Sequence, residues 1–133
     1  KEIELELVPQ GTLAERLRCA GAGLGGFFTP TGVGTPIAQG KRTEVINGRE
    51  FLFETPLHAE FALVQADAAD RWGNLTYRKT ARNFGPVMCT AATTTIVQVA
   101  RIVPLGSIDP EHVVTPGIFV SRVVEVSHPL YSS

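Results

Sequence analysis

Reactive and metal-binding side chains are scarce in this sequence, which has two cysteines and three histidines among its 133 residues. Cys19 and Cys89 lie far apart, and neither has a second Cys or His nearby at a spacing that metal ligands use. We interpret both as free thiols on apolar helix faces, because cysteines outside metal or catalytic sites usually pack as small hydrophobic groups. The sequence therefore predicts no metal site.

Long apolar runs and an excess of charge of one sign are also missing. No run approaches the ~20 apolar residues that span a bilayer, and no leader pattern is recognisable, so we expect a cytoplasmic protein. With 12 basic and 13 acidic side chains the formal charge is −1, which argues against binding nucleic acid or an anionic membrane through bulk positive charge. A hydrophobic content of 44% is enough to fill the core of one domain.

The familiar catalytic motifs are absent or incomplete. A G-x-S-x-G serine elbow does not occur. His58-Ala59-Glu60 has the H-x-E pattern of zinc deaminases but lacks their downstream cysteine pair. Residues 21–26 fit G-x-G-x-x-G, but they follow a predicted helix where the dinucleotide fingerprint requires a strand. If the protein is an enzyme, we expect the reactive group to come from elsewhere.

The first candidate site lies where a predicted strand meets a predicted helix. Residues 2–7 alternate glutamate with Ile or Leu, which is typical of a half-buried strand. After a break at residues 8–11, Thr12 is placed to cap a helix over residues 13–19, with a glutamate three positions on completing a capping box. Gln10 therefore lies at the type of strand-to-helix turn where α/β proteins bind ligands.

A glycine-rich loop is predicted over residues 21–36, which include six glycines. Glycine allows a backbone to approach a ligand closely, and Phe27 and Phe28 argue against a flexible linker. Long loops in compact domains are usually functional. An ordered surface loop packed by the two phenylalanines fits the same pattern, so both interpretations stay open here.

The rest of the pattern predicts an α/β class with an antiparallel hairpin elaboration. Residues 43–46 and 50–53 flank Asn47-Gly48, the preferred pair for a type I′ hairpin turn. Further strands are predicted over residues 61–64, 75–77, 94–103 and 118–126, a turn over 109–112, and a helix over 81–92 whose true start lies near Pro86.

A group of four cations follows the predicted strand at residues 61–64. It consists of Arg71, Arg78, Lys79 and Arg82, interleaved with Trp72 and Tyr77. These side chains suit the binding of a phosphate or a carboxylate, or pairing across a subunit interface. The interpretation that we favour is that they form the solvated face of a strand and the approach to a helix. A nucleic-acid site is not expected at this net charge.

Several motifs resemble, in the same order, those of a known family. They are V-P-Q-G-T-L-A-E-R over residues 8–16, G-A-G over 21–23, T-P-T-G-V-G-T over 29–35, G-N-L-T-Y-R-K over 73–79, D-P-E-H over 109–112 and T-P-G-I over 115–118. The sequence resembles the α (A) subunit of family I CoA-transferases acting on 3-oxoacids, and within the family it is most similar to members acting on 3-oxoadipate. Residues 1–133 then correspond to the C-terminal part of an α-subunit domain. The resemblance implies the CoA-transferase and sugar-phosphate isomerase-like α/β fold, without the family's earlier G-G-F-G-type CoA-binding segment.

The resemblance also implies a reaction and a partner. CoA would move from succinyl-CoA to 3-oxoadipate through a glutamyl-CoA intermediate on a β subunit, in an α2β2 or similar heteromer that needs no metal and no cofactor beyond the CoA thioester. The matching glutamine, Gln10, would act in the active site, and the substrate pocket would be walled by Gly21, Ala22, Gly23, Gly25 and Phe27. Two alternatives are the α subunit of an acetoacetate or acetate CoA-transferase and a non-catalytic ligand-sensing domain of the same fold.

Overall fold

The computed structural model describes residues 2–126, which form two compact units divided after residue 57. Each unit has its own β-sheet and its own α-helix. This combination of helices and sheets confirms the predicted α/β class. Within the described residues, no helix has both the length and the apolar character needed to cross a membrane.

The first unit combines one helix with a three-stranded antiparallel sheet. Its elements are α1 (Gln10–Gly21), β1 (Phe27–Thr29), β2 (Thr43–Ile46) and β3 (Arg49–Glu54), with the strands in the order β1-β3-β2. The predicted hairpin is confirmed as β2–β3. Asn47 and Gly48 have φ angles of 50° and 74°, and positive values at both positions are what a type I′ turn requires.

The predicted strand over residues 2–7 is wrong. This segment has no regular secondary structure, and Ile3, Leu5 and Leu7 are 81%, 77% and 73% exposed. Alternation defines an apolar face, but a strand also needs a neighbour for its backbone N–H and C=O groups. No strand among residues 2–126 pairs with it. Gln10 therefore follows an irregular segment instead of a strand.

Helix α1 begins earlier than predicted. Pro9 is its N-cap residue and Gln10 its first residue, while Thr12 is buried within the first turn and makes no cap. Proline suits this place because its φ, here −58°, is already near the helical value and it has no N–H to leave unpaired. The helix buries one stripe of side chains, which consists of Thr12, Arg16, Cys19 and Ala20.

The second unit contains a four-stranded mixed sheet and one helix. Its elements are β4 (Ala59–Asp70), β5 (Leu75–Thr76), α2 (Ala81–Ala91), β6 (Ala92–Val103) and β7 (Arg122–Glu125), with the strands in the order β5-β4-β6-β7. Strand β6 is parallel to both β4 and β7, and β5 is antiparallel to β4. The parallel pairing brings Asp70 and Val103 to the same sheet edge.

The strands and the helix predicted for the second unit are present, but they begin or end at residues other than those predicted. Strand β4 is three times as long as the predicted 61–64, whereas β7 is shorter than the predicted 118–126, because residues 117–119 form a 3₁₀ turn. The expected helix start near Pro86 is wrong, since Pro86 lies inside α2. This proline costs the helix the hydrogen bond to the carbonyl of Arg82, a residue exposed to solvent.

Helix α2 packs closely against the sheet of its unit. The buried residues of the core are Ala62, Val64, Ala66, Ala69, Leu75, Tyr77, Cys89, Val97 and Val99. A Cβ placed on Gly85 of α2 would lie 2.7 Å from Tyr77 Cε1 and 3.2 Å from Val64 Cγ1. Gly85 and the small alanines of β4 therefore allow the short distance between helix and sheet.

Candidate functional site

Gln10 lies exposed in the first turn of α1. It is on the opposite side of the helix from the buried stripe, which begins two positions later at Thr12. Among the described residues, no heavy atom outside the nearby helix backbone lies within 4 Å of the place where a Cβ of the neighbouring Gly11 would be, so the surface beside Gln10 is open. The backbone N–H groups of a first helical turn have no partner within the helix. Gln10 thus presents an amide next to backbone donors that have no partner within the helix.

The other end of α1 is closed by the first glycines of the predicted loop. Gly21 is the last helical residue and Ala22 is the C-cap. The Leu24 N–H donates to Cys19 O at 3.0 Å and the Gly23 N–H to Ala20 O at 3.2 Å, with Gly23 at φ +70°. This is a Schellman arrangement, in which glycine is favoured at the left-handed position. Gly21, Ala22 and Gly23 therefore have a structural role whatever they bind.

The glycine-rich segment is not one continuous loop, because β1 occupies residues 27–29. Phe27 is half-buried and pairs with Glu54 of β3. Gly25 has open space around it, whereas a Cβ on Gly26 would lie 2.2 Å from Phe53 Cζ and 2.8 Å from Glu54 O. Gly26, which is not among the predicted site residues, is thus a glycine that packing requires.

Gln10 and the glycine segment lie at opposite ends of α1. Eleven residue steps separate Gln10 from Gly21, which at ~1.5 Å per residue places their Cα atoms about 16 Å apart. Both ends cannot contact the same acyl carbon. An extended ligand could contact Gln10 at one end and Gly21–Gly25 at the other.

A buried ion pair stabilises the end of β3. Lys41 Nζ donates to Glu54 Oε1 at 2.7 Å, and the Glu54 side chain is 3% exposed. A carboxylate taken out of water needs such a partner. The period of two in β3 places Glu54 on the same face as the buried Leu52. That pattern is a signal for an inward, paired glutamate that sequence reasoning missed.

The second unit contains a buried thiol that is poorly suited to nucleophilic attack. Burial raises the pKa of Cys89, although the neighbouring Tyr77 hydroxyl opposes the shift. Burial likewise raises the pKa of Tyr77, whose hydroxyl lies 2.8 Å from Thr115 Oγ1 and 3.6 Å from Cys89 Sγ. Both cysteines are buried free thiols, as predicted. Attack by sulfur requires the thiolate, which burial disfavours.

The H-x-E pattern at residues 58–60 and the four cations of residues 71–82 lie on the surface. His58 and Glu60 are exposed at the start of β4, and among residues 2–126 no group of three or more His, Cys, Asp or Glu side chains is placed to hold a metal ion. Within the cation group, Arg78 Nε lies 3.8 Å from Asp67 Oδ1. Arg101 Nη2 lies 3.0 Å from the other oxygen of the same carboxylate, Asp67 Oδ2. Arg71, Lys79 and Arg82 are exposed. The exposure of these side chains fits the solvent-facing interpretation, and a binding role stays a prediction.

Comparison with known proteins identifies the family. A family model described as Coenzyme A transferase matches residues 1–126. The chain is 62% identical to the A subunit of 3-oxoadipate CoA-transferase from Pseudomonas putida over 99% of this chain and 57% of that protein. It is 49% identical to the alpha subunit of acetate CoA-transferase from Escherichia coli K12 over 92% of this chain and 56% of that protein. The chain thus spans about half the length of these relatives.

A solved structure agrees with this assignment at the level of the fold. The acyl-CoA transferase apoenzyme of Escherichia coli O157:H7 matches with a TM-score of 0.78 at 24% identity, over 90% of this chain and 27% of that one. The expected CoA-transferase fold is thereby confirmed. Since the family model also covers nearly the whole sequence, this chain belongs to the coenzyme A transferase family.

Proposed function

We propose that this chain is part of the α subunit of a 3-oxoacid CoA-transferase that moves CoA from succinyl-CoA to 3-oxoadipate. The observation that carries the proposal is the 62% identity to the Pseudomonas putida protein, which is named for 3-oxoadipate. The 49% identity to the acetate-named protein of Escherichia coli makes acetate or acetoacetate the second candidate acceptor. The enzyme works in the cytoplasm and uses no cofactor beyond the CoA thioester.

The nucleophile is a glutamate of a second subunit, in an α2β2 or similar heteromer. Its carboxylate attacks the thioester carbonyl of succinyl-CoA, the C–S bond breaks, and the CoA thiolate leaves to give an acyl-glutamyl anhydride. The thiolate then attacks the glutamyl carbonyl and releases succinate, which gives glutamyl-CoA. The acceptor carboxylate then attacks glutamyl-CoA, and the same two steps run in reverse to give the new acyl-CoA and the free glutamate. No electron is gained or lost overall. Support comes from the names of the relatives, which describe them as subunits.

Gln10 supplies a hydrogen-bond donor to this chemistry. Each attack passes through a tetrahedral oxyanion, which fixed N–H donors stabilise. The Gln10 amide has two N–H donors and one acceptor, it is exposed, and it stands beside first-turn N–H groups that have no partner within α1. These features suit a residue that orients the attacking glutamate or binds the acyl oxygen.

The glycine segment contacts the substrate away from the reacting carbon. The distance of about 16 Å along α1 separates Gly21, Ala22 and Gly23 from Gln10. CoA thioesters are long, so an extended pantetheine arm can follow the helix between the two places. Gly25 is exposed and Phe27 is half-buried, so they offer an open backbone and part of an apolar ring to such an arm.

The proposal is tested with the complete gene product co-expressed with its second subunit. Succinyl-CoA is mixed with 3-oxoadipate, and the new thioester is followed by mass spectrometry. We expect ping-pong kinetics and a kcat/KM for 3-oxoadipate above those for acetoacetate and acetate. A preference for either of the latter acids would identify the second candidate acceptor. Binding of acyl-CoA without exchange would instead indicate a ligand-sensing domain.

A further inference from the structure

Arg16 is a buried guanidinium that joins three parts of the first unit. Its Nε donates to Thr55 O at 2.9 Å, and its Nη1 donates to Glu6 Oε1 at 3.1 Å. Its own carbonyl accepts from the Leu57 N–H at 3.1 Å. The Arg16 side chain is 10% exposed, so its contact with Thr55 O is shielded from solvent, whereas the Glu6 side chain is 66% exposed and its contact is open to water. Helix α1 is thereby attached both to the segment that precedes it and to the segment that follows β3.

These contacts bear on the orientation of Gln10. Helix α1 has no side-chain N-cap, so its first turn lacks a common local restraint. Gln10 lies six positions before Arg16, about 9 Å along the axis. The Glu6 contact holds the segment leading into the first turn, while the Thr55 and Leu57 contacts hold the middle of the helix.

Resting on the proposed function, we propose that Arg16 is a positioning residue that sets the placement of the Gln10 amide for CoA transfer. Nε and Nη1 point to two different acceptors, Thr55 O and Glu6 Oε1. A planar guanidinium holds two such donors in a fixed geometry, whereas a lysine has a single point charge. Arg16→Lys therefore keeps the charge and loses the double attachment.

Arg18 provides a matched control on the same helix. It is exposed and pairs with Glu15 within α1, so this ion pair attaches the helix to no other element. Arg18→Met and Arg16→Met remove the same charge from the same element. If charge near the substrate were what matters, both variants would lose activity to a similar degree.

The test measures kcat and KM of the complete gene product with its second subunit. A catalytic group displaced by about 1 Å costs up to ~100-fold in rate, so we expect Arg16→Lys to lower kcat roughly 10- to 100-fold with little change in KM. Arg18→Met should stay within about twofold of the unmodified protein. Melting followed by circular dichroism identifies any variant that fails to fold. If Arg16→Met fails to fold, the kinetics of two milder variants test the inference instead. These are Arg16→Lys and Glu6→Gln, and the second weakens one attachment alone.

A double-mutant cycle with Gln10→Ala separates positioning from a structural role. If Arg16 acts through Gln10, Arg16→Lys should lower kcat less than about twofold in the Gln10→Ala background. An equal loss in both backgrounds, or full activity of Arg16→Lys, overturns the inference while leaving CoA transfer by the unmodified protein intact. Absence of transfer by the unmodified protein would instead overturn the proposed function.

Discussion

The Asp70 carboxylate binds both the backbone and the side chain of Asn74. Its Oδ1 accepts from the Asn74 N–H at 3.1 Å, and its Oδ2 accepts from Asn74 Nδ2 at 2.8 Å. The Asn74 side-chain oxygen in turn accepts from the Gly117 N–H at 2.9 Å. Asp70 is 4% exposed, so this network connects the end of β4 to the turn at residues 117–119 with little competition from water.

Asp70→Asn should lower the free energy of unfolding by about 1–3 kcal/mol, because an amide nitrogen would face the Asn74 Nδ2 donor and leave buried donors unpaired. Urea unfolding at pH 7 measures the loss. Asp67→Asn is the control on the same strand, since its partners Arg78 and Arg101 have side chains 76% and 60% exposed. It should cost about 0–1 kcal/mol. Equal losses would contradict the role of the network.

The stability lost in Asp70→Asn should depend on pH. Burial would raise the pKa of Asp70, but hydrogen bonds from Asn74, Trp72 and Gly73 outweigh it and lower the pKa below the ordinary value. The stabilisation is therefore complete above the unfolded-state pKa of about 3.9 and is lost as the pH falls through the lower folded-state pKa. The stability gap between the unmodified protein and Asp70→Asn should narrow in acid. If the difference in unfolding free energy stayed constant with pH, the stabilisation would not depend on ionisation of Asp70.

Gly26→Ala should destabilise the first unit, whereas Gly25→Ala should not. The new Cβ would overlap the Phe53 ring and the Glu54 carbonyl, and Gly26 also has a φ of +146°. Such overlap typically costs about 1–3 kcal/mol. Gly25 has open space and no positive φ, so its change should stay within about 0.5 kcal/mol. Denaturant unfolding compares the two, and similar stabilities would show that the segment relaxes around Gly26.

The elements that are predicted correctly are those whose signal lies within a short stretch of sequence, such as a turn pair or a run of residues that favour strands. The β2–β3 hairpin follows from Asn47-Gly48, which fixes a local turn, and β6 from a run of β-branched residues. Residues 2–7 alternate just as clearly but have no pairing strand among residues 2–126. Alternation reports on a side-chain face and contains no information about whether a neighbouring backbone is available.

The site shows a similar division. The capping pattern at Thr12 predicts that Gln10 lies near a helix start, which is confirmed, although α1 begins at Gln10 itself. The contacts of Arg16 could not, since Thr55 lies 39 positions away in the sequence and accepts through its backbone. The requirement for glycine at position 26 could not be predicted either, because it depends on the position of Phe53 in β3, the strand that pairs with β1.

Gln10→Ala should lower the transfer rate far more than the stability. Removing one oxyanion donor typically lowers kcat ~10²- to 10³-fold. Because Gln10 is exposed, its loss should change the free energy of unfolding by about 0.5 kcal/mol or less. Gln39→Ala, at another glutamine on the surface of the first unit, should alter neither quantity. Parallel losses of rate and stability in Gln10→Ala would favour a purely structural role in the turn.

Gly25→Leu tests whether the glycine segment contacts substrate. The site is exposed, and apart from the adjacent residues no heavy atom of residues 2–126 lies within 4 Å of the position that a Cβ would take, so a leucine should be accommodated without disturbing the fold. If an acyl-CoA lies along this segment, the side chain should obstruct it and raise KM for succinyl-CoA roughly tenfold, which corresponds to about 1.4 kcal/mol of lost binding. Gly25→Ala, which adds one methyl group, serves as the control and should stay near the unmodified KM. Melting curves of both variants should coincide with that of the unmodified protein. Unchanged kinetics in Gly25→Leu would limit the role of the segment to ending α1, because a bulky side chain would then share the surface with no substrate.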